Sequence, residues 1–235
     1  MANFDDQVMG LTGLSIDANS TPNRVEFTQF LYDGVLDVTE RLTDKNAMDK
    51  GLFNRVTSEL TSNGHSLGGA EVISVVREDG TVNSWRPCRE ISPALQTRVT
   101  DSDSLHYASK YNPAFIKWND GSVAVYPAPG DSPNRYKIFY VNNVPTFSGG
   151  GGEGTWDTDV IHYFPKDKVH LVMMFAAIKC IDHKLSAYVI DDDDTELAEG
   201  LKATLESLTY KYERAFGEKP QQQQQPAQRR RRRRG

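Results

Sequence analysis

The sequence predicts an α+β fold in which a helical bundle, built from one N-terminal and two C-terminal helices, carries an inserted antiparallel β meander and ends in an extended tail. Three observations lead to this prediction. Apolar residues recur at helical spacing near both ends, short apolar runs alternate with turn signals in the middle, and the last residues are of low complexity. With 235 residues, 38% of them hydrophobic, the chain is long enough for one sizeable core.

The N-terminal helix is predicted over residues 22–43. Thr21 is a candidate cap, and Pro22 suits the first helical position, where a backbone N–H has no partner within the helix. A further short helix is a candidate within residues 4–16. The apolar positions that follow Pro22 at steps of three and four are Phe27, Phe30, Leu31, Val35, Val38 and Leu42.

The middle of the chain predicts short strands joined by tight turns. Asp79-Gly80 and Asn119-Asp120-Gly121 are turn signals that separate runs rich in β-branched and aromatic residues. Because no long helical crossovers lie between these runs, we expect an antiparallel meander. The predicted strands are Glu71–Arg77, Thr81–Arg89, Ala114–Trp118, Ser122–Tyr126 and Tyr136–Val141.

Two C-terminal helices are predicted on either side of an acidic corner. Pro165 opens the first helix, whose apolar positions continue to Leu185, and Thr195 begins the second. The intervening Asp191–Asp194 is short, so the two helices should form an antiparallel pair.

The predicted organisation is one domain followed by a tail. The domain covers residues 1–217, with helical parts at 1–63 and 160–217 and a β insertion at 70–147; the tail covers 218–235. Gly149–Gly152 is rich in glycine and predicts a flexible link between the β insertion and the C-terminal helices.

The tail concentrates positive charge that the rest of the chain lacks. Residues 1–228 carry 21 basic and 32 acidic side chains, and a block of six arginines follows. This pattern is typical of an interaction tail and argues against nucleic-acid binding over the whole surface. Guanidinium groups bind both phosphates and carboxylates, so the pattern leaves DNA and an acidic protein open as partners. The candidate binding residues are Gln221, Gln222, Gln223, Gln224, Gln225, Arg229, Arg230, Arg231, Arg232, Arg233 and Arg234.

One motif has the letters of a serine-hydrolase nucleophile elbow. Gly64-His65-Ser66-Leu67-Gly68 matches Gly-x-Ser-x-Gly, with His162, His170 or His183 as the candidate base. That elbow requires a buried strand before the serine and a helix after it, whereas here a polar run precedes and a strand is predicted to follow. We therefore predict a noncatalytic protein, and a hydrolase that uses Ser66 is the alternative.

No metal, cofactor or membrane is predicted as a partner. Asp191–Asp194 lacks the alternating ligands and glycine of a calcium loop, and Cys180 with His183 supplies only two zinc ligands. Mean hydropathy is −0.56, and no window approaches the roughly 20 apolar residues that a membrane helix requires.

Several segments resemble virion structural proteins of tailed phages, and the likeness covers residues 10–217. The run 108–115, Asn119-Asp120-Gly121 and Val123–Pro129 are similar to the β portion of those proteins. Phe164–Lys179 is similar to the start of their long C-terminal helix, and Leu14-Ser15-Ile16-Asp17 is similar to their opening segment. The order of helix, meander, helix and helix further resembles the head–tail adaptor, or connector, proteins.

The adaptor resemblance implies a structural role at the head–tail junction of a virion. It implies a homo-oligomeric ring of about 12 copies beneath the portal, with tail or neck proteins as further partners. It also implies that the C-terminal extension reaches the portal, whereas the arginines are not part of the family pattern and leave contact with packaged DNA open. The family offers no catalytic residues. Another neck or tail component, such as a tail terminator or a capsid-associated protein, is the alternative within the virion.

Overall fold

The computed structural model describes residues 3–45, 47–142, 145–148, 155–188 and 195–217, and over these residues the fold is mixed α+β, as predicted. The helices are α1 (Phe4–Thr12), α2 (Arg24–Lys45), α3 (Gln96–Thr100), α4 (Val169–Tyr188) and α5 (Thr195–Ala215). The strands are β1 (Asn54–Val56), β2 (His65–Ser66), β3 (Val72–Glu78), β4 (Trp85–Pro87), β5 (Arg89–Glu90), β6 (Ala114–Lys117), β7 (Ser122–Tyr126), β8 (Tyr136–Val141), β9 (Thr146–Phe147) and β10 (Ile161–His162). The predicted link Gly149–Gly152, the corner Asp191–Asp194 and the tail 218–235 lie outside the described residues.

Helix α2 begins two residues later than predicted, because Asn23 rather than Thr21 caps it. The Asn23 Oδ1 atom accepts hydrogen bonds from the backbone N–H groups of Val25 (2.9 Å) and Glu26 (3.0 Å). In return, the Asn23 N–H donates to the Glu26 carboxylate at 2.8 Å, which completes a capping box. Pro22 therefore precedes the cap and does not occupy the first helical position.

Helix α4 is the centre of the helical part and packs against α1, α2 and α5. Its side chains Val172, Ala176 and Cys180 are completely buried, and such an apolar helix needs neighbours on several sides. On α2, a Cβ atom added at Gly34 would lie 3.1 Å from a Phe175 ring carbon and 3.2 Å from a Val172 methyl carbon. The glycine therefore allows α2 and α4 to approach closely.

Within the described residues, the strands form two four-stranded sheets and one two-stranded pair, an arrangement that differs from the predicted meander. One sheet has the order β1-β8-β3-β4 and the other β2-β7-β6-β5, while β9 pairs with β10. The pair β5 and β6 is parallel, because residues 91–113, which include α3, form the crossover that a parallel pair needs. The predicted strand Thr81–Arg89 is divided at Cys88, so that β4 joins the first sheet and β5 the second.

The two four-stranded sheets share an apolar core. Val75 of β3 pairs with Ile138 of β8, and both are completely buried against side chains of the second sheet, including Phe115. Strand β6 is buried on both faces, since Ala114 and Ile116 pack on the opposite side with residues of the α3 crossover. This alternation follows from the period of two along a strand.

The β portion begins at Asn54, earlier than the predicted insertion at 70. Strand β1 pairs with β8, and Leu60 forms a further bridge to Tyr136. The Tyr136 hydroxyl also donates a hydrogen bond to the Ser62 carbonyl at 2.9 Å. Residues 54–63 are mostly polar and lack the alternation by which an isolated strand is recognised, so the sequence did not indicate this pairing.

Candidate functional site

The C-terminal end of α5 is attached to α2 by hydrogen bonding and ring packing. The Tyr212 hydroxyl donates to the Asp37 carboxylate at 2.5 Å, and the same carboxylate pairs with Arg41 Nε at 2.9 Å. The Arg41 guanidinium carbon lies 5.4 Å from the Tyr212 ring centroid and 5.5 Å from that of Phe216. We call these four residues, Asp37, Arg41, Tyr212 and Phe216, the α5 clamp.

The α5 clamp lies immediately before the predicted tail. Phe216 is only 4% exposed, and the N–H of Gly217 donates to the Arg214 carbonyl at 2.9 Å with a backbone φ of 68°. A residue in this left-handed conformation is a common end of a helix. All eleven predicted binding residues of the tail lie outside the described residues.

The residues around Ser66 form a strand, a turn and a second strand, and not the strand and helix of a nucleophile elbow. Ser66 is exposed in β2, and its hydroxyl accepts a hydrogen bond from the Gly68 N–H at 3.3 Å. The turn that follows has φ values of 60° at Gly68 and 84° at Gly69, and the chain then enters β3. The local geometry that exposes a nucleophilic serine above a helix N-terminus is therefore missing.

The three candidate bases for Ser66 belong to other parts of the fold. His170 Nδ1 lies 2.8 Å from the Asp167 carbonyl, and His183 Nε2 lies 3.5 Å from the Glu26 carboxylate. His162 is in β10, whereas Ser66 is in the sheet that contains β7. None of the contacts given for these three histidines involves Ser66.

Cys180 and His183 of α4, the two candidate zinc ligands, do not form part of a metal site in the described residues. Cys180 is completely buried, and this burial raises the pKa of its thiol to about 12. Its complete burial among apolar side chains is that of an ordinary packing residue. Among the described residues, no three histidine, cysteine, aspartate or glutamate side chains are grouped as metal ligands. The predicted acidic run Asp191–Asp194 lies outside them.

A buried ion cluster at the β3–β4 hairpin was not foreseen in the sequence. Glu78 is completely buried, and its carboxylate accepts hydrogen bonds from Arg135 through the backbone N–H (3.0 Å), Nε (3.1 Å) and Nη2 (2.7 Å). The side-chain hydrogen bond from Arg135 is the main reason that the pKa of Glu78 is lowered to about 2. Arg135 also pairs with Glu59, and its own pKa is raised chiefly by the bond to Glu78.

The neighbours of Glu78 extend this cluster to the loop between β7 and β8. Arg77 is 2% exposed and donates to the carbonyls of Pro127 (3.0 Å) and Ala128 (3.2 Å), while burial lowers its pKa. Asp79 accepts from the Ser84 hydroxyl at 2.9 Å and from Arg86 Nε at 3.0 Å. We call Arg77, Glu78, Asp79, Arg86 and Arg135 the hairpin ion cluster. Arg135 pairs with Glu78 and Arg86 pairs with Asp79, whereas Arg77 binds backbone carbonyls, and together these bonds fix the hairpin.

The only sequence signal for this cluster was the change from apolar to charged residues at the end of β3. Arg77-Glu78-Asp79 directly follows Val75-Val76, and charged residues at a strand end are ordinarily exposed. The burial of Glu78 depends on Arg135, which is far away in sequence. The sequence therefore showed that charged residues end the strand, but it did not indicate that Arg135 is the partner of Glu78.

No protein-family model and no curated protein sequence matches this chain. None of the helices in the described residues is both long enough and apolar enough to cross a membrane.

Proposed function

We propose that the chain is a noncatalytic structural protein of a tailed-phage virion, a head–tail adaptor that forms a ring of about 12 copies between the portal and the tail. In this proposal the helical bundle and its β insertion form the body of the ring, and the C-terminal tail docks on the portal. The observation that carries the proposal is the α5 clamp, a rigid attachment immediately before the tail 218–235, which carries six arginines near its end. The resemblance to adaptor proteins supports the same role.

The clamp gives the tail a defined origin. Tyr212 and Phe216 are each 4% exposed, so the last turns of α5 are fixed to α2 by buried aromatic surface. The fifteen residues Gln221–Gly235 have a maximum contour length of about 50 Å. Arginines on a tail whose base is fixed can bind a neighbouring protein through bidentate arginine–carboxylate pairs.

The charge distribution suits a ring through which DNA passes without binding tightly to the wall. Residues 1–228 carry a net negative charge, with 32 acidic and 21 basic side chains. An acidic wall repels the DNA backbone, which allows a packaged genome to pass. The basic block is confined to the end of the tail, where it contacts either portal carboxylates or packaged DNA.

The first experiment is native mass spectrometry of the full chain, alone and mixed with its candidate portal protein. We expect a ring of about 12 copies or a stoichiometric portal complex, which is lost when the chain is ended at Pro220. The truncated chain should retain its unfolding temperature, because the α5 clamp remains complete. Portal attachment that survives the truncation would contradict the role of the tail, and a hexamer would favour a tail terminator instead.

A second variant separates the two partners of the arginines. Replacing Arg229–Arg234 by glutamine keeps the length of the tail and removes its charge. If the arginines contact DNA, duplex binding by the intact chain should fall with salt with a log–log slope of about −5, and the variant should lose this binding. If they contact portal carboxylates, the variant should instead lose the portal complex.

A further inference from the structure

The sheet β1-β8-β3-β4 buries one face in the core and turns the other outward. Val75 of β3 is completely buried against the second sheet. Because side chains alternate along a strand and paired residues share a face, Val76 lies on the outer face with its partners Pro87 of β4 and Lys137 of β8. Phe139 is two residues beyond Lys137 and lies on the same face. Three of the four strands thus place an apolar side chain on the outer face.

Strand β1 completes an apolar stripe across the whole sheet. Val56 pairs with Phe139 and is 47% exposed, while Val76 is half-buried. Within the described residues, Val56, Val76 and Phe139 belong to none of the apolar core clusters. We call Val56, Val76, Pro87 and Phe139 the outer sheet face. An antiparallel sheet ordinarily carries polar side chains on a face that meets water, and a continuous apolar surface is typical of a contact site.

The charged groups beside the outer sheet face are paired with one another. Lys137 Nζ lies 3.1 Å from the Glu59 carboxylate and 4.4 Å from the Trp85 ring centroid. Arg135 bridges Glu59 and Glu78, and its Nη2 atom lies 2.7 Å from the Glu78 carboxylate. These two basic and two acidic groups carry no net charge together. The face therefore fits a partner that presents a neutral apolar surface, and not one recognised by its charge.

A second copy of the chain carries a surface of that chemistry. Residues 1–228 have 32 acidic and 21 basic side chains, so contacts between most parts of two copies oppose like charges. Two outer sheet faces placed together avoid this repulsion, because the charged groups beside each face are already neutralised within their own copy.

The dimensions of the outer sheet face favour another sheet as its occupant. Four strands at a spacing of about 4.8 Å and about five residues at about 3.3 Å give a face of about 19 by 17 Å. A helix is about 10 Å wide and would cover half of it. A second four-stranded sheet, stacked at about 10 Å, would cover all of it. The projected area of about 300 Å² on each copy is typical of a weak dimer and not of a permanent one.

Extension of the same sheet at its edges is less favourable than contact through its face. The Cys88 N–H donates to the Val75 carbonyl at 2.8 Å, so the preceding residue, Pro87, is directed to the free edge of β4. Proline has no N–H to offer to an added strand. The other edge strand, β1, spans only three residues and offers few backbone groups for pairing.

We infer that two copies of the chain associate through their outer sheet faces in a two-fold symmetric contact. The same patch serves on both copies, so Val56, Val76 and Phe139 of one copy pack against the outer sheet face of the other. This stacking of two sheets removes β-branched and aromatic side chains from water. The inference goes beyond the proposed function, because a two-fold contact joins copies in pairs, whereas a ring needs head-to-tail contacts through other surfaces.

The test is sedimentation velocity of the full chain from about 10 μM to 1 mM, at about 0.3 M salt to screen association through the charged tail. We expect an equilibrium between monomer and dimer. Val56→Lys should weaken the dimer at least about tenfold, because it places a charge in the apolar contact of each copy. Val76→Thr keeps the shape of the side chain and should weaken the dimer about fivefold, because the contact buries an unpaired hydroxyl.

Matched controls are Leu197→Lys on α5 and Val25→Thr on α2, since both side chains are exposed and lie outside the outer sheet face. These variants should leave the dimer unchanged, and circular dichroism should show that all four variants remain folded. A wild-type chain that remains monomeric at about 1 mM would overturn the inference. A dimer that Val56→Lys and Val76→Thr leave unaltered, or that Leu197→Lys weakens equally, would overturn it as well.

Mixing wild type with Val56→Lys tests the two-fold symmetry. Because both copies use the same patch, the mixed pair should be at least about fivefold weaker than the wild-type dimer. Unchanged affinity in the mixture would indicate a head-to-tail contact through a second surface and would overturn the inference. A wild-type association that falls steeply between about 0.1 M and 0.5 M salt would point to the tail and would contradict it too.

Portal binding separates this inference from the proposed function. If Val56→Lys leaves the dimer intact and abolishes the portal complex, the outer sheet face binds the portal, and the inference is wrong while the adaptor role stands. If the dimer depends on the outer sheet face but no portal complex forms with the full-length chain, the contact between copies stands and the adaptor role is contradicted.

Discussion

Tyr212 on α5 and Asp37 on α2 are joined by a 2.5 Å hydrogen bond between a phenol and a carboxylate. The two residues are far apart in sequence, and their contact attaches the end of α5 to the first long helix of the chain. It also explains how a helix that directly precedes a charged segment retains its structure to its last turn, since the clamp residues are buried or half-buried.

The α5 clamp should contribute measurably to stability. Tyr212→Phe removes only the hydroxyl, and we expect the free energy of unfolding to fall by about 1–2 kcal/mol because Asp37 loses a donor. Chemical denaturation checks this value. Tyr210→Phe is the control, since Tyr210 is 49% exposed on the same helix and its change should be within about 0.5 kcal/mol. Equal effects for the two variants would contradict the clamp.

Among the charged residues of the β portion, replacement of Glu78 should lower the free energy of unfolding most. Glu78→Gln keeps the shape of the side chain and removes the charge that faces Arg135, so we expect the free energy of unfolding to fall by about 3 kcal/mol. Glu90→Gln is the control, because Glu90 forms an exposed pair with Lys117 at 3.0 Å and should contribute less than about 0.5 kcal/mol. A small effect at Glu78 would show that the hairpin ion cluster does not stabilise the hairpin.

The same carboxylate predicts an acid-sensitive stability. The pKa of Glu78 is lowered from 4.5 to about 2, so in this range the unfolded chain binds a proton that the folded chain does not. The contribution of Glu78 to the free energy of unfolding should therefore be fully present above about pH 5, and it should be lost as the pH is lowered toward 2. Urea denaturation at a series of pH values measures this slope. Glu78→Gln should reduce it, while Asp79 and Asp120, whose pKa values are also lowered, should retain the remainder.

The close approach of α2 and α4 should reject a large side chain at Gly34. Gly34→Leu would force its side chain against Phe175 and Val172, and we expect a loss of about 2–3 kcal/mol. At Gly200 of α5, by contrast, an added Cβ would have nothing within 4 Å. Gly200→Ala should therefore stabilise the protein by up to about 1 kcal/mol through helix propensity. Thermal unfolding should show a lower unfolding temperature for Gly34→Leu and an unchanged or higher one for Gly200→Ala. An unchanged unfolding temperature for Gly34→Leu would contradict the close approach of α2 and α4.

Ser66 should be dispensable for folding and for activity. The side chain is exposed and bonds only locally in the described structure, so Ser66→Ala should change the free energy of unfolding by less than about 0.5 kcal/mol. We expect no ester hydrolysis that depends on this residue, measured by turnover of a chromogenic ester with the wild type and the variant. Turnover that disappears in Ser66→Ala would restore the hydrolase alternative.

The elements with a strong local pattern were predicted closely. Strands β7 (Ser122–Tyr126) and β8 (Tyr136–Val141) have the predicted bounds, because runs rich in β-branched and aromatic residues lie between turn residues at both strands. The error at the start of α2 also has a local cause. Asn23 and Glu26 have the spacing of a capping box, and this signal was available in the sequence beside the weaker one from Thr21 and Pro22.

The features that depend on distant residues could not be predicted in this way. The division of Thr81–Arg89 between two sheets depends on partners in β3 and β6, and local alternation does not identify partners. The burial of Glu78 depends on Arg135, 57 residues away. Without that partner, a charged residue at the end of a strand is expected to be exposed.

The sequence by itself determined the mixed fold class, the long helices and the acidic body with its basic tail, because periodicity and charge are local properties that need no partner. Only the tertiary structure decided how the strands divide between two sheets, which charges are buried, and that Asp37 and Arg41 hold the end of α5. Those features arise where segments distant in the chain meet, and the free energy of each depends on the geometry of both partners.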